Sequence, residues 1–310
     1  MLKVIVLGAA AGGGFPQWNC NCDVCRRGRE DPQAADPATQ SSLAVSADGE
    51  GWFLLNASPD LRQQVLRTPA LHPRTGRRHS PIAGVLLTNA DVDHTAGLLT
   101  LRERQPLAVY GTRRVHQVLK SNSVFNVLNP EVVARRDMDL GEKVPLKKQD
   151  GSDSGLIVEM FPVPGKVALY LEDASAGENF GTVAEDTVGV KISAADTGES
   201  FYYIPGCAGM PPDLAERLRG ADLLFFDGTT WIDAEMRSQG VGEKTGQRMG
   251  HMCMSGPEGS LAAMEPLGIV RKIYVHINNT NPVHLKDSPE RATAAQAGWE
   301  IAFDGMEITL

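Results

Sequence analysis

The segment that most constrains the fold is residues 82–99, IAGVLLTNADVDHTAGLL. Its apolar start is typical of a buried strand, and the strand ends directly in a cluster of Asp91, Asp93 and His94. A single aspartate in this place is often only a turn residue or a helix N-cap. Two carboxylates and one imidazole within four residues also form a typical set of divalent-metal ligands. A metal bound by this cluster would need further ligands from distant parts of the chain.

Two other apolar segments end in the same kind of residue. LLFFDGTTW places Asp227 at the end of a probable strand, and RKIYVHINNTNP places His276 at the end of another. Each could be a polar group that is simply satisfied at a strand end. Burying both without using them is costly, because polar groups in a core need partners. Together with Asp93 and His94, these residues predict a metal site at the strand ends.

Short apolar segments alternate with helical patterns along the whole chain, without repeats or low-complexity segments. This pattern favours an α/β layered fold, and we expect one domain over residues 1–310. We expect surface loops at 146–154 and 172–186. The expected strands are 2–7, 42–47, 52–56, 82–87, 107–110, 155–162, 187–193, 200–204, 222–227, 271–277 and 306–310. The expected helices lie near 60–67, 94–104, 112–120, 211–219, 257–265 and 288–297.

Composition excludes several classes of partner. The net charge of −8 and the pI of about 5.4 argue against binding to nucleic acid or to an anionic membrane surface. No apolar run reaches the roughly 18 residues of a membrane-spanning helix. LKVIVLG near the N-terminus reads better as a first core strand than as a signal peptide. We therefore expect a cytoplasmic protein.

A second candidate site lies in NCNCDVC, which contains Cys20, Cys22 and Cys25. Three thiolates at this spacing can bind one structural Zn²⁺. The alternatives are reduced thiols or a strained local disulfide, although Cys-x-Cys is too short for an easy disulfide. A closed tetrahedral site needs a fourth ligand. We expect Cys207 and Cys253 to be buried thiols.

The residues that follow the expected strand 82–87 resemble a motif of a known superfamily. TNADVDHTAGL resembles the His-x-His-x-Asp-His-x-x-Gly loop of the metallo-β-lactamase superfamily, with Asn89 and Asp91 in place of the first two histidines. LLNASPDLRQQ, FPVPGK, ADLLFFDGTTW and VHINN resemble other motifs of that superfamily, so the resemblance covers essentially the whole chain. It implies an αββα sandwich with a metal held between the sheets at the strand ends.

The departures from the superfamily pattern imply a single metal. The positions that hold the first metal in the superfamily are Asn89, Asp91 and Lys166 here; Asn is a poor ligand and Lys is a cation that would repel a metal, so this site is lost. The positions that hold the second metal all carry ligands: Asp93, His94, Asp227 and His276. The implied centre is therefore mononuclear. Asp91 could join it or act as a base, and His251, in MGHMCMSG, could move protons or be a packed loop histidine.

Three segments together, NADVDH, CNCDVC and HINNTNP, are similar to the branch of the superfamily that takes part in pyrroloquinoline quinone (PQQ) biosynthesis. This resemblance implies O₂-dependent hydroxylation of a tyrosine-derived precursor. Two histidines plus carboxylate with open positions suit Fe²⁺, although zinc hydrolases use similar sets. The alternatives are a carrier of PQQ or its precursor and a single-metal, phosphodiesterase-like hydrolase. The expected partner is a small-molecule precursor or PQQ itself, and a homodimer is an open alternative.

Two assignments concern residues outside these motifs. In relatives with the same cysteine array, the fourth zinc ligand is a histidine three residues past the last metal-binding histidine. That position is Asn279, so the resemblance leaves the fourth ligand open between Asn279 and another group. The remaining histidines lie in polar surroundings and are expected at the surface: His72, His79, His116 and His284.

Overall fold

Fourteen strands lie in the part of the chain that the structure, a computed structural model, describes, residues 1–177 and 179–310. They are β1 (Lys3–Gly8), β2 (Ser42–Ser46), β3 (Trp52–Leu55), β4 (Ile82–Leu86), β5 (Leu107–Gly111), β6 (Val133–Asp137), β7 (Lys143–Lys147), β8 (Asp153–Pro162), β9 (Val188–Ala194), β10 (Ser200–Ile204), β11 (Leu223–Asp227), β12 (Arg271–Val275), β13 (Trp299–Ile301) and β14 (Glu307–Thr309).

These strands form two seven-stranded sheets with the same design. The first sheet has the order β14-β1-β2-β3-β4-β5-β6, and the second has the order β13-β12-β11-β10-β9-β8-β7. In the first sheet, β3 to β6 are parallel and the other pairs are antiparallel. In the second, β10 to β13 are parallel and the other pairs are antiparallel. The parallel half of each sheet has its carboxyl ends free to carry a site.

Helices cover the outer faces of both sheets. The α-helices are α1 (Asp23–Glu30), α2 (Leu61–Arg67), α3 (Val92–Thr95), α4 (Arg113–Ser121), α5 (Pro212–Leu218), α6 (Glu235–Ser238), α7 (Gly246–Met249), α8 (Ser260–Met264) and α9 (Pro289–Gln296). Short 3₁₀ helices lie at Pro69–Leu71, Ala96–Leu101, Ser123–Val127, Leu169–Leu171, Ala174–Ala176, Glu265–Leu267 and Pro282–His284.

The layered arrangement explains why the central strands are apolar on both faces. In β11, Phe225 packs into the core between the two sheets, whereas Leu224 and Phe226 pack under the outer helices. In β4, Leu86 faces the central core and Val85 faces the outer layer. Strands covered on both sides read as continuous hydrophobic runs. The predicted αββα sandwich is confirmed.

Several elements differ from the sequence-based expectation. The strands β6, β7 and β13 and the helices α1, α6 and α7 were not expected. The helix expected at 94–104 is a short α3 followed by the 3₁₀ helix Ala96–Leu101. The expected loop at 146–154 is the turn of the β7–β8 hairpin. Position 178 of the expected loop 172–186 lies outside the described residues, and the rest of that loop includes Ala174–Ala176.

Two histidines that were expected at the surface are buried. His116 Nδ1 donates a hydrogen bond to Asp137 Oδ1 at 2.7 Å, and its Nε2 is buried without a hydrogen-bond partner among the described residues. The His284 ring stacks on Phe15 with the ring centroids 3.9 Å apart. Each of these histidines is held by a residue from another part of the chain, Asp137 of β6 or Phe15. No helix in the described ranges has the length and apolar character needed to span a membrane.

Candidate metal centre

The segment that follows β4 places its polar residues by close backbone packing. The His94 carbonyl accepts the Ala57 N–H at 2.8 Å, and the Gly97 N–H donates to the Ala57 carbonyl at 2.9 Å. A Cβ at Gly97 would lie only 2.2 Å from the Ser58 carbonyl oxygen, so a glycine is required for this approach. The packing fixes α3 at the carboxyl end of the first sheet and buries His94.

Asp93, His94 and His276 meet at this end of the sandwich. His276 Nε2 lies 3.2 Å from Asp93 Oδ2, and His94 Nε2 lies 3.9 Å from the same oxygen. The two imidazole rings are edge to face, with centroids 5.3 Å apart. One ligand atom from each residue lies within 4.8 Å of the others. The two sheets thus supply one carboxylate and two imidazoles to one point.

The hydrogen bonds to the other ring nitrogen fix which nitrogen of each histidine faces that point. His94 Nδ1 lies 2.8 Å from Asn89 Oδ1, which also accepts the Asp91 N–H. Because an amide oxygen only accepts, Nδ1 carries the proton and Nε2 presents a lone pair. His94 Nε2 is buried and has no hydrogen-bond partner among the described residues. An unpartnered imidazole lone pair beside a carboxylate fits a divalent metal ion.

His276 is held in an unusual backbone conformation at the end of β12. Its φ of 55° lies in the left-handed region, which a residue with a side chain adopts at a cost. The Thr229 hydroxyl lies 2.9 Å from His276 Nδ1 and 3.0 Å from the His276 carbonyl oxygen. The Ile277 N–H also donates to the Ala9 carbonyl at 3.0 Å. These contacts turn the His276 ring toward Asp93.

The predicted ligand Asp227 lies in a second group with His251 and His276, whose ligand atoms also lie within 4.8 Å of one another. Asp227 is fully buried, and its carboxylate accepts the Cys207 N–H at 2.9 Å and the Thr229 N–H at 3.0 Å. His251 Nδ1 lies 2.6 Å from Asp227 Oδ2. These contacts already occupy both carboxylate oxygens, so direct binding of a metal by Asp227 stays a prediction. The Asp227 carboxylate orients His251.

A cavity of about 310 Å³ opens over these groups. Acidic and imidazole side chains line it, and so do Lys166, Leu169 and Lys244. Asp91 lines the cavity, and its Oδ1 accepts the Leu169 N–H at 3.2 Å. Asp91 belongs to neither ligand group, so its assignment as a ligand or a base stays a prediction. The Lys166 ammonium is paired with Glu172.

Burial and neighbouring charges set the protonation states of the centre. Burial lowers the pKa of His94 to about 4, which keeps this imidazole neutral. Burial opposes ionisation of Asp93, but the neighbouring His94 and His276 hold the pKa of its carboxyl below the usual range. Burial raises the pKa of Asp91, and the charge on Asp93 raises it further. A neutral imidazole and an ionised carboxylate are the forms that bind metals.

The cysteine loop forms a separate buried cluster. The Sγ atoms of Cys20, Cys22 and Cys25 lie within 4.8 Å of one another, and no disulfide joins the five cysteines, all of which lie in the described residues. Cys22 caps α1, where its Sγ accepts the Cys25 N–H at 3.5 Å. The Asn279 side-chain amide donates to Cys25 Sγ at 3.2 Å. The cluster fits one zinc ion, with Asn279 as the nearest fourth group.

Hydrogen bonds from neighbouring groups favour the ionised form of one thiol of this cluster. The hydrogen bond from the Cys22 thiol, together with the one from Asn279, lowers the pKa of the Cys25 thiol to about 5 despite its burial. A thiolate is the form of cysteine that binds metals. Outside the cluster, Cys207 is buried as predicted, whereas Cys253 is partly exposed, which corrects the prediction of a buried thiol.

Comparisons with known proteins assign the family. The model of the family described as "Beta-lactamase superfamily domain" matches residues 51–277. Coenzyme PQQ synthesis protein B of Gluconacetobacter diazotrophicus is 53% identical over 309 residues, which cover 100% of both chains. The protein of the same description from Rhodopseudomonas palustris strain BisB5 is 53% identical over 313 residues, again with 100% of both chains covered. This chain belongs to the coenzyme PQQ synthesis protein B family.

Solved structures agree with this family. A crystal structure of Zn²⁺-bound PqqB from Methylobacterium extorquens superposes with a TM-score of 0.93 at 51% identity, covering 99% of this chain and 100% of that chain. A diphosphatase of the PhnP family superposes with a TM-score of 0.69 at 22% identity, covering 99% of this chain and 96% of that one. The latter similarity concerns the fold alone. The predicted superfamily and its PqqB branch are confirmed.

Three residues of the site were not identified from the sequence in the roles that the contacts indicate. Asn89 appeared only as a lost ligand, yet its oxygen accepts from His94. Thr229 lies two residues after Asp227, and this spacing was a usable signal because alternate residues of an extended segment face the same side. Lys244 lies in a polar segment that gave no signal, yet it lines the cavity.

Proposed function

We propose that this protein acts in the biosynthesis of PQQ, as a metal-dependent enzyme that uses O₂ to hydroxylate a tyrosine-derived precursor. The single observation that carries the metal-dependent part is the convergence of Asp93, His94 and His276 on one point of the cavity floor. The unpartnered Nε2 of His94 indicates that this convergence is built for a bound cation. The pathway is inferred from the relatives, which are named for PQQ synthesis.

Two imidazoles and one carboxylate, with the remaining positions open to the cavity, favour iron over a closed zinc site. Asp93, His94 and His276 would hold the metal. A bound Fe²⁺ would supply the activation of O₂, which side chains alone cannot perform; one oxygen atom would enter the ring and the other would leave as water, with two electrons from an external reductant. Cys20, Cys22 and Cys25 would hold zinc in the other cluster, where all three thiols are buried.

The chain's own residues would position the precursor and move protons. The Asp227 carboxylate holds His251 through Nδ1, so Nε2 of His251 is the ring nitrogen available to the cavity. From there it can accept a proton from a phenol or donate one to a product oxygen. Asp91, whose pKa burial raises, is the second group that can hold a proton at the cavity wall. The cavity volume of about 310 Å³ suits one aromatic ring with small substituents.

Reconstitution with different metals tests this proposal. Metal-depleted protein would be loaded with Fe²⁺ or with Zn²⁺ and given a tyrosine-derived precursor and a soluble reductant such as ascorbate under ¹⁸O₂. We expect Fe²⁺ to give a product whose ring contains ¹⁸O, detected by mass spectrometry. Zn²⁺ should give none, because zinc has no accessible redox change. His94→Ala should be inactive, and His72→Ala, a matched change of a partly exposed histidine outside the cavity, should keep full activity.

Other outcomes would assign a different function. Activity under strict exclusion of oxygen, or full activity with zinc, would overturn the oxygenase proposal in favour of a single-metal hydrolase. Oxygen label that enters the product only from H₂¹⁸O would lead to the same conclusion. Stoichiometric binding of PQQ without turnover under any metal would favour a carrier.

A further inference from the structure

The side-chain oxygen of Asn278 is an unused hydrogen-bond acceptor in the cavity of about 310 Å³ that this residue lines. The Asn278 Nδ2 donates to Thr280 Oγ1 at 2.6 Å and to Met236 Sδ at 3.2 Å, so both amide hydrogens point into the protein. Its Oδ1 accepts no hydrogen bond among the described residues and is not enclosed, so it is accessible from the cavity. A molecule in the cavity therefore meets an acceptor at this position.

The orientation of the Asn278 amide is set by the hydroxyl of Thr280. A threonine hydroxyl has a single proton to donate. Thr280 donates it to the Glu235 carboxylate, with 2.5 Å between Thr280 Oγ1 and Glu235 Oε1. The hydroxyl can then only accept from Asn278, which must present its Nδ2 to Thr280. If the amide were turned over, its Oδ1 would face the Thr280 oxygen with no proton between them.

Buried groups on either side make this orientation rigid. Thr280 is fully buried and Glu235 is 3% exposed, so water does not compete for their hydrogen bond. Helix α6 carries both Glu235 and Met236, and these two residues hold the hydroxyl and the amide from the same side. The Asn278 backbone N–H donates to the Thr229 carbonyl at 3.0 Å, which fixes the main chain of the same residue.

The ionised form of Glu235 is the one that requires this orientation. Its Oε2 accepts the Trp231 N–H at 2.6 Å, so a proton on the carboxyl would lie on Oε1 and Thr280 would accept it. Burial raises the pKa of Glu235 to about 7, and the Glu290 carboxylate adds to the shift. The contribution of Thr280 to the orientation of Asn278 is therefore measured at pH 8, where Glu235 is mostly ionised.

We propose that Asn278 is a specificity-determining residue whose Oδ1 accepts a hydrogen bond from an O–H or N–H group of the substrate, and that Thr280 and Glu235 are positioning residues that keep this oxygen in the cavity. The inference rests on the proposed function, because a tyrosine-derived precursor carries a phenol and an ammonium group as donors. A substrate without the matching donor would leave the Asn278 oxygen unpaired, and this loss disfavours its binding.

Steady-state kinetics of hydroxylation at pH 8 tests the acceptor and its positioning. Asn278→Ala should raise KM about 5- to 20-fold and leave kcat within about threefold, because the hydrogen bond holds the substrate before and during the reaction. Thr280→Val keeps the shape of the side chain without the hydroxyl and should raise KM by a similar factor. Thr280→Ser restores the hydroxyl and should restore KM. Asn126→Ala, a change of an exposed asparagine outside the cavity, is the matched control.

Binding of small probes identifies the donor without catalysis. Calorimetry would compare L-tyrosine with O-methyl-L-tyrosine, which lacks the phenol O–H, and with 3-(4-hydroxyphenyl)propanoate, which lacks the ammonium group. We expect Asn278→Ala to weaken the binding of tyrosine about 5- to 20-fold and to leave the binding of one analogue unchanged. Equal weakening of all three probes would show that Asn278 does not accept from either donor, which would overturn the inference.

The remaining outcomes separate the inference from the proposed function. Hydroxylation with an unchanged KM in Asn278→Ala would overturn the inference while the proposed function stands. Absence of hydroxylation in every variant, with tyrosine binding that still depends on Asn278, would overturn the function and support the acceptor. Tyrosine that does not bind, or that binds equally to both proteins, would overturn the acceptor. Loss of the cavity metal in Asn278→Ala, measured by mass spectrometry, would assign Oδ1 to the metal and overturn the inference as well.

Discussion

The cysteine cluster and the cavity cluster are built in opposite ways. Cys20, Cys22 and Cys25 come from one stretch of six residues around the start of α1, and all three are buried. Asp93, His94 and His276 come from strand ends of two different sheets and open onto a cavity of about 310 Å³. A local cluster can order its own loop, whereas the distant set exists only once both sheets have packed. The first arrangement suits a structural ion and the second a reacting one.

The two clusters are nevertheless joined by a short segment. His276 belongs to the cavity cluster, and Asn279, three residues later, contacts Cys25 through both its side-chain amide and its carbonyl oxygen. We therefore expect the cavity cluster to depend on the cysteine cluster, but not the reverse. Loss of the cavity metal should leave the cysteine cluster intact, whereas loss of the cysteine cluster should disturb the segment that carries His276.

The largest expected effect comes from removing a cavity ligand. His276→Ala or His94→Ala should lower the hydroxylation rate by about 1,000-fold or more, because the remaining two groups cannot retain the metal. Metal analysis by mass spectrometry should then find the zinc of the cysteine cluster still present. A thermal unfolding curve close to that of the unchanged protein would show that the fold persists. An unchanged rate in either variant would remove that histidine from the active site.

The next effect concerns stability. Cys22→Ala should release the zinc and lower the melting temperature by about 5 °C, which corresponds to a loss of about 3 kcal/mol for a chain of 310 residues. The loss has two parts, because Cys22 also caps α1. Cys253→Ala is the matched control: it changes a partly exposed thiol outside the cluster and should leave the zinc in place. Retention of zinc and of the melting temperature in Cys22→Ala would contradict the structural-site assignment.

The cysteine cluster could be predicted from spacing, but parts of the fold around it could not. The strands β6, with sequence VARRD, and β7, with sequence KVPLK, have no apolar run because they lie at sheet edges. Edge strands carry charged residues and proline, which sequence patterns assign to loops. The helix α1 was hidden by its charged sequence, DVCRRGRE, and only a few of its residues are buried.

The ligands of the cavity cluster could be predicted from the sequence, but the residues that hydrogen-bond to those ligands could not. Apolar strands that end in Asp227 and His276 gave a clear signal, since a residue at the end of a buried strand is seldom polar without a reason. The sequence gave no signal for the contact between Asn89 and His94, because an amide oxygen in a turn can accept hydrogen bonds from many different donors. His116 and His284 were placed at the surface, since their partners, Asp137 and Phe15, come from other elements.

The hydrogen bond between Asn89 and His94 can be tested by substitution. Asn89→Ala removes the oxygen that accepts from His94 Nδ1, so His94 loses its fixed tautomer. We expect metal affinity at the cavity to fall about 10- to 100-fold, measured by competition with a chelator. Asn89→Asp keeps an acceptor in the same place and should retain most of the affinity. The zinc content of the cysteine cluster should not change in either variant. If Asn89→Ala binds the cavity metal as tightly as the unchanged protein, Asn89 does not position His94.

The buried acid Glu235, at the start of α6, contacts the chain next to the segment that joins the two clusters. Its carboxyl accepts the Trp231 N–H at 2.6 Å and the Thr280 hydroxyl at 2.5 Å. Thr280 in turn accepts from the Asn278 side-chain amide at 2.6 Å, and Asn278 lines the cavity. Burial raises the pKa of Glu235 to about 7, so the folded protein holds this proton at pH values where an unfolded chain has released it.

The smallest expected effect follows from this shift. Because the folded pKa is raised, the stability that Glu235 contributes is fully present below the unfolded pKa of about 4.5 and is lost as pH rises through about 7. We expect the free energy of unfolding to fall by about 2 kcal/mol from this group between pH 5 and pH 8. Glu235→Gln cannot ionise, and its amide can donate to Thr280 while its oxygen accepts from Trp231, so it should remove this part of the decline. Urea unfolding of both proteins at the two pH values measures the difference. An equal decline in the variant would show that Glu235 does not contribute to the pH dependence of the free energy of unfolding.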